Sequence, residues 1–203
     1  MNVAVSTKPN TKQRSSSERA ARTRLKITDA FRALVYEGSG SPRMRDVAQR
    51  AGVSLRTVFH HFHDVETLYE EVIRILELQV SRLIEAQDTR CPLHARVRRL
   101  VTQRCAVYRT IAPLRRAVLA SPEVRSSPSI AAYKRRLDYV LSRNASETLS
   151  PELRRAADRY GSLERITAVT SYEMWSHLSS VQRLSPSRVE RHMTIAVMRE
   201  LAG

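Results

Sequence analysis

The stretch that decides the fold reads Arg43-Met-Arg-Asp-Val-Ala-Gln-Arg-Ala-Gly-Val-Ser-Leu-Arg-Thr-Val-Phe-His-His-Phe62. Two short runs with apolar residues at helical spacing flank Gly52, which suits a turn with positive φ because glycine has no Cβ to clash there. Ser54 is a good N-cap for the second run. Apolar side chains can form a small core between the two runs: Val47, Ala48, Ala51, Val53, Val58 and Phe62. The stretch therefore predicts a helix-turn-helix.

The second helix of this motif would present mostly polar side chains to solvent. With the helix starts, the candidate DNA-contacting set is Arg43, Ser54, Leu55, Arg56, Thr57, Phe59, His60 and His61. Arginine and threonine can hydrogen-bond to base edges, and arginine and histidine can contact phosphates. We expect Arg56 and Thr57 to read bases, and Arg43 and His61 to contact phosphates of double-stranded DNA.

Charge and composition narrow the function classes. The net charge of +15 and the isoelectric point near 10.9 favour a polyanionic partner. No apolar run is long enough to cross a membrane, and the first residues lack the apolar core of a signal peptide, so we expect a soluble, cytoplasmic protein. Cys91 and Cys105 are too few for a disulfide scaffold or a thiolate zinc site. No catalytic or phosphate-binding motif is present, which predicts a protein that is not an enzyme and needs no cofactor or metal.

Serine–proline pairs mark helix starts along the chain, because serine caps the free amides and proline is tolerated in the first turn. Cys91-Pro92 and Ala112-Pro113 predict two further breaks, since proline disrupts a helix interior. Strand-like alternation is almost absent, so the predicted class is all-α. The pattern places helices at about 19–37, 42–50, 54–61, 64–88, 93–111, 113–120, 128–148, 151–182 and 186–202.

Three regions are predicted. Residues 1–19 form a basic flexible arm, residues 20–78 a three-helix DNA-binding domain with the helix-turn-helix at about 43–62, and residues 79–203 a helical body. The predicted helix at 151–182 is apolar almost all round, which indicates burial on more than one side, as in a helical bundle.

The motif residues carry a resemblance to a known family. Arg45-Asp46-Val47-Ala48, Ala51-Gly52-Val53-Ser54, Thr57–Phe62 and Glu66-Thr67-Leu68 resemble the N-terminal domain of the tetracycline-repressor (TetR) family, and the resemblance covers about residues 20–75. In that family the last two long helices form a dimeric four-helix bundle, and the middle helices enclose a small-molecule pocket. The resemblance implies a homodimeric repressor that a small molecule releases from an inverted-repeat operator. It makes residues 79–203 the ligand-binding and dimerisation domain. The apolar helix faces of the body, with few inward polar residues, favour a lipophilic ligand.

Two positions depart from the family pattern. Phe59 stands where the family usually has a tyrosine whose hydroxyl reaches a phosphate, and Val65 stands where it often has lysine. Residues 1–26 carry seven lysines and arginines against one acid, whereas residues 27–70 carry five arginines against six acids. We expect the basic arm to supply compensating contacts with the DNA backbone. The alternative is a disordered tail that only aids solubility.

Candidate ligand contacts lie on the helices predicted at 93–111, 128–148 and 151–182. They are Arg104, Tyr108, Tyr139, Glu173, Trp175 and His177. Arg104 falls near the middle of an apolar helix face, where a guanidinium requires a partner. It can pair with Glu173, extend to the surface, or anchor a ligand. Trp175 can line the pocket, pack in the core or lie at a dimer interface. The ligand would carry a carboxylate or another hydrogen-bond acceptor if Arg104 is free, and a neutral ligand is favoured if Glu173 neutralises Arg104.

Two other function classes share parts of this pattern. A helical DNA-binding protein without an inducer would have the same motif, and a basic membrane-surface protein would have the same charge. The membrane interpretation requires a basic amphipathic helix with bulky apolar residues on an exposed face, and the arm has none.

His60, His61 and His63 invite a metal interpretation, but their spacing does not suit ligation from one helix face.

Overall fold

The computed structural model describes residues 11–38, 40–85 and 87–202, with side chains from Ser16 onward. These residues form helices and contain no strand, which confirms the predicted all-α class. None of the described helices is long and apolar enough to cross a membrane. A π-helical turn, His177–Val181, continues α10. The helices are α1 Thr11–Tyr36, α2 Met44–Ala51, α3 Leu55–His61, α4 Val65–Leu83, α5 Leu93–Leu119, α6 Pro122–Arg125, α7 Pro128–Thr148, α8 Ser150–Leu153, α9 Arg159–Val169, α10 Tyr172–Ser176 and α11 Pro186–Ala202.

Helices α2 and α3 form the helix-turn-helix that the sequence predicts. Gly52 ends α2 with φ 64°, the left-handed conformation that glycine adopts without strain. The Ser54 hydroxyl caps α3 by accepting a hydrogen bond from the Thr57 amide at 3.0 Å. Val47 and Val58 are fully buried between the two helices.

Two apolar cores hold the helices together. The N-terminal core packs α1 to α4 around Phe31, whose ring meets Tyr69 edge-on with centroids 4.8 Å apart. The C-terminal core unites α5, α7, α9, α10 and α11. Helix α4 contributes to both cores, with Leu76 in the first and Val80 in the second. Helix α4 is thus shared by the helix-turn-helix domain and the body.

Helix α1 begins earlier than predicted. Residues 11–19, assigned from sequence to the flexible arm, form its first turns, while residues 1–10 of that arm lie outside the described residues. No glycine or proline interrupts the chain from Thr11 to Tyr36, so the helix extends N-terminally without a break.

Helix α5 runs through Pro113, and the predicted break there is wrong. Proline removes one helical hydrogen bond and crowds the preceding turn. Burial offsets that loss, since Ile111, Ala112 and Leu114 are all at most 3 % exposed. The Tyr36 hydroxyl also donates to the Thr110 carbonyl at 3.0 Å, which ties the end of α1 to this turn.

The single helix predicted at 151–182 is divided instead into α8, α9, α10 and the π-helical turn. Two polar side chains start new helices within it. Asp158 accepts a hydrogen bond from the Gly161 amide at 2.9 Å, and Ser171 accepts one from the Met174 amide at 3.2 Å. At the second break the Thr170 carbonyl accepts a hydrogen bond from the buried Tyr108 hydroxyl at 2.6 Å.

Helix α4 ends at Leu83 rather than near Asp88. Tertiary contacts hold the chain that follows in a non-helical conformation. The Glu85 carbonyl accepts hydrogen bonds from the side-chain amides of Gln103 and Asn144, each at 3.3 Å. These amides compete with continuation of the helix.

Candidate nucleic-acid interface and ligand cavity

The exposed face of α3 is the centre of the candidate DNA interface. Arg56, Phe59 and His60 are exposed there, and Leu55, Thr57 and His61 are partly exposed. Phe59 keeps 46 % of its surface in solvent although it is a large apolar side chain. Such a ring can contact a thymine methyl group in the major groove.

The other two predicted DNA contacts, Arg43 and Ser54, lie at the starts of α2 and α3. Arg43 is exposed before α2, and its backbone amide donates to Asp46 Oδ2 at 3.2 Å. Ser54 is exposed before α3, where its hydroxyl lies 2.7 Å from the Thr57 hydroxyl. Thr57 therefore shares its hydrogen-bonding capacity between the cap and any base it contacts. The Arg56 side chain forms no hydrogen bond with a described residue, so all its donors are available to DNA.

Arg24 is a structural residue of this interface that the sequence analysis missed. Its guanidinium lies over the Phe62 ring, 4.2 Å from the centroid, and Nη1 donates to the His61 carbonyl at 2.8 Å. Nη2 lies 3.2 Å from Glu71 Oε2. Arg24 thus joins α1, the end of α3 and α4. A signal was available, since Arg24 shares the apolar stripe of Ile27 and Phe31 at helical spacing.

His61 lies in an environment that disfavours its charged form. Burial, followed by the neighbouring charges of His60 and Arg24, lowers the pKa of His61 below its ordinary value of 6.5. At neutral pH the imidazole is therefore uncharged and would meet a phosphate as a hydrogen-bond donor rather than as a cation.

This lowered pKa predicts a pH-dependent stability. Between the folded and the unfolded pKa of His61, the unfolded chain binds more protons at this residue than the folded chain. The contribution of His61 to the free energy of unfolding is therefore highest above about pH 6.5, and it falls as pH decreases through the folded pKa. We expect His61→Asn to lose less stability than wild type between about pH 7.5 and pH 5.5, measured by thermal unfolding without DNA. The control is His94→Asn, an exposed residue of α5. Equal pH dependence in wild type and both variants would contradict the assignment.

A cavity of about 290 Å³ lies between α4, α5, α6 and α7. Its wall is mainly aliphatic, and charged side chains lie among its exposed lining residues. The lining residues are Ile73, Ile111, Leu114, Arg115, Val118, Leu119, Arg125, Ile130, Ala131, Tyr133, Lys134, Leu137 and Asp138. A mostly aliphatic cavity with a few polar groups is typical of a small-molecule site.

None of the six predicted ligand contacts lines this cavity. Arg104, Tyr108 and Glu173 line a neighbouring space of only about 50 Å³, too small for a drug-sized molecule. Tyr139, 66 % exposed, and His177 lie on the surface away from both spaces. Trp175 packs in the C-terminal core, with its ring 5.9 Å from that of Tyr108.

Of the three alternatives for Arg104, the ion pair with Glu173 does not form. Arg104 is 2 % exposed and donates to the Leu141 carbonyl of α7, while Glu173 pairs with Arg115 at 2.5 Å. The Arg115 guanidinium also stacks on the Tyr172 ring, 4.0 Å from its centroid. Burial lowers the pKa of Arg104 and raises the pKa of Tyr108 to about 12. Arg104 therefore joins α5 to α7.

The described residues show no convergence of three or more histidine, cysteine, aspartate or glutamate side chains that could hold a metal ion. Cys91 is exposed and Cys105 is buried, and they are unlinked. Burial raises the pKa of the Cys105 thiol to about 12, which keeps it protonated and unreactive.

Solved structures share this arrangement of helices. A TetR-family transcriptional regulator from Mesorhizobium loti aligns with a TM-score of 0.60 and 22 % identity over 91 % of this chain and 97 % of its own. A TetR-family regulator from Rhodococcus sp. aligns with a TM-score of 0.63 and 18 % identity over 89 % of this chain and 99 % of its own. The chain has the TetR-regulator fold. A transcriptional regulator from Rhodococcus sp. Rha1 aligns with a TM-score of 0.57 and 21 % identity over 89 % of this chain and 96 % of its own.

No family model and no curated protein sequence matches the chain. The shared TetR-regulator fold extends well beyond residues 20–75, since the alignments cover about nine-tenths of the chain. The helical body is thus part of the same architecture as the helix-turn-helix.

Proposed function

We propose that the chain is a TetR-family transcriptional repressor that acts in the cytoplasm as a homodimer and leaves its operator when a small molecule binds. The observation that carries the proposal is the exposed face of α3, with Arg56, Phe59 and His60 presented from a capped helix that Arg24 anchors to the domain. A short helix with this exposure suits the major groove. The TetR-regulator fold supports the same interpretation.

Helix α1 supports DNA binding through charge. Arg19, Arg22 and Lys26 recur at helical spacing on the solvent side of α1, and none of them has an ion-pair partner within the described chain. Lysines and arginines of this kind can neutralise phosphates and release counterions. They offer the backbone contacts that Phe59 and Val65 do not supply.

The last helices support a dimer. Helices α9 and α11 pack against each other, and large apolar side chains are exposed there and in the preceding turn: Tyr160, Val181 and Ile195. Apolar side chains left in solvent on neighbouring elements are typical of an interface with another chain. A twofold dimer would place two copies of α3 about 34–36 Å apart, one turn of DNA.

Contacts around the cavity support a ligand response. Helix α6 borders the cavity with Arg125, and Val124 of the same helix packs in the N-terminal core. The Ser127 hydroxyl, which caps α7, donates to Glu66 in the first turn of α4. A ligand that displaces α6 and α7 would therefore move α4, which follows the helix-turn-helix directly, and would favour a conformer that binds DNA less well.

Selection of DNA by the purified protein tests this function. From a pool of random duplexes we expect enrichment of an inverted repeat whose half-sites are about one helical turn apart. Light scattering should give twice the chain mass of 23.2 kDa. A mass of one chain, together with no enriched sequence, would contradict the proposal.

A further inference from the structure

We propose that the cavity between α4, α5, α6 and α7 binds an amphiphilic carboxylate, with its apolar tail inside the cavity and its carboxylate at Arg125 and Lys134. The inference rests on the proposed function, because it names the chemical class of the regulating ligand. It replaces the sequence-based expectation that Arg104 and Glu173 decide the ligand's charge.

The aliphatic wall of the cavity indicates an apolar tail for the ligand. The side chains that face it from three helices are aliphatic: Ile73, Ile111, Leu114, Val118, Ile130 and Leu137. A volume of about 290 Å³ holds roughly ten groups of the size of a water molecule or a methylene, at about 30 Å³ each. Removing hydrocarbon from water into such a wall is favourable in proportion to the apolar area buried.

The charge of the ligand's head group can be inferred from the charged lining residues. Those that already have ion-pair partners do not attract a ligand charge, and those without partners do. Arg115 is paired with Glu173 at 2.5 Å and stacked on Tyr172, so its charge is compensated. The Arg115–Glu173 pair therefore adds no net charge at the cavity. Asp138 is an exposed lining carboxylate that forms no ion pair with a described residue, so it contributes one negative charge.

Two cations remain. Arg125 and Lys134 are exposed lining residues, and neither forms an ion pair with any residue that the structure describes. Set against the carboxylate of Asp138, they leave the cavity rim with an excess of one positive charge. Arginine binds a carboxylate through two parallel hydrogen bonds, and lysine adds a point charge. An anionic head group is therefore favoured over a neutral or cationic one.

Tyr133 adds a polar group to the same wall. Its hydroxyl is buried and has no hydrogen-bond partner among the described residues. A buried hydroxyl without a partner is unfavourable, so a ligand oxygen within its reach would gain a hydrogen bond.

Calorimetric titration of the full-length protein distinguishes the head groups. The probes are decanoate below its micelle concentration, 1-decanol and decylamine. We expect one decanoate to bind per chain, with an affinity at least about tenfold higher than that of 1-decanol. We expect no detectable binding of decylamine. Affinity should rise about fourfold for each methylene added from hexanoate to decanoate, the equivalent of about 0.8 kcal/mol per buried methylene.

Variants locate the site. Arg125→Gln and Lys134→Gln should each weaken decanoate binding about tenfold. Arg135→Gln is the matched control, since Arg135 is exposed next to Lys134 but does not line the cavity, and it should bind as wild type. Ala131→Phe should block the cavity, because it replaces a small lining side chain with a large one. Ala131 is exposed, so the variant should still fold.

Three results would overturn the inference: equal affinity for decanoate and 1-decanol, no decanoate binding to protein that circular dichroism shows to be folded, or equal losses in the Arg135 and Lys134 variants. Release of the selected DNA is measured separately. Decanoate that binds in the cavity without releasing DNA would support the ligand class and contradict the proposed ligand-released repression, so the two failures are distinguishable.

Discussion

Arg96→Ala lowers the free energy of unfolding by about 3–5 kcal/mol, because it leaves a partly buried carboxylate without its partner. Arg96 is 4 % exposed, and Nη2 lies 2.5 Å from Glu152 Oε1. The same guanidinium donates to the Thr148 carbonyl at 2.6 Å and the Cys91 carbonyl at 2.9 Å. One side chain thus joins the start of α5 to the end of α7 and to α8. Urea unfolding measures the change.

The same pair makes stability depend on pH in acid. The hydrogen bond from Arg96 lowers the pKa of Glu152 below its ordinary value of 4.5. The stabilisation is therefore complete above about pH 4.5 and is lost as pH falls through the folded pKa. Arg96→Ala should remove this dependence.

An exposed ion pair provides the control for Arg96. Arg143 and Glu147 are paired at 2.7 Å on α7 with both side chains largely in solvent, so Arg143→Ala should change stability far less than Arg96→Ala. A loss in Arg96→Ala no larger than in Arg143→Ala would show that the buried network does not stabilise the body.

Arg56→Ala reduces discrimination between the selected operator and random DNA by about 1–3 kcal/mol, or about 5- to 150-fold. Arg56 is exposed on α3 and its guanidinium has no ion-pair partner among the described residues. It can therefore form a bidentate contact with a guanine edge, which random sites offer only by chance. Fluorescence anisotropy at fixed salt measures both affinities.

Two further variants complete this comparison. Arg43→Ala, at the predicted phosphate contact, should weaken operator and random DNA alike. Arg116→Ala, on the exposed side of α5 in the helical body, should change neither affinity by more than a small factor. Equal losses for operator and random DNA in Arg56→Ala would make Arg56 a phosphate contact and shift base reading to other residues of α3.

Some features of the interface could be predicted because they depend on residues close together in sequence. Gly52 and Ser54 determine the turn of the helix-turn-helix through backbone conformation and capping, and both act within a few residues. The predicted α3 residues lie on or beside its exposed face for the same reason. The anchoring role of Arg24 was missed because it depends on contacts with Phe62 and Glu71, which lie far along the chain.

The ligand cavity was located less well than the DNA interface. Helical spacing placed Arg104 and Tyr108 inward, and both are buried. It could not show that Glu173 turns to Arg115, nor that the larger space opens beside Leu114 and Ile130. A cavity is what remains when several helices pack imperfectly, so it depends on their relative positions rather than on the pattern within any one of them.

The sequence by itself determined the all-α class, the helix-turn-helix and the face of α3 that meets solvent, since helical periodicity, a left-handed glycine and a serine cap act locally. Only the tertiary structure decided where long helices continue or stop. Burial on both sides of Pro113 kept α5 whole, and the Tyr108 hydroxyl satisfied the Thr170 carbonyl where the chain breaks before α10. In both places the free energy of a local backbone rule was outweighed by contacts with residues distant in sequence.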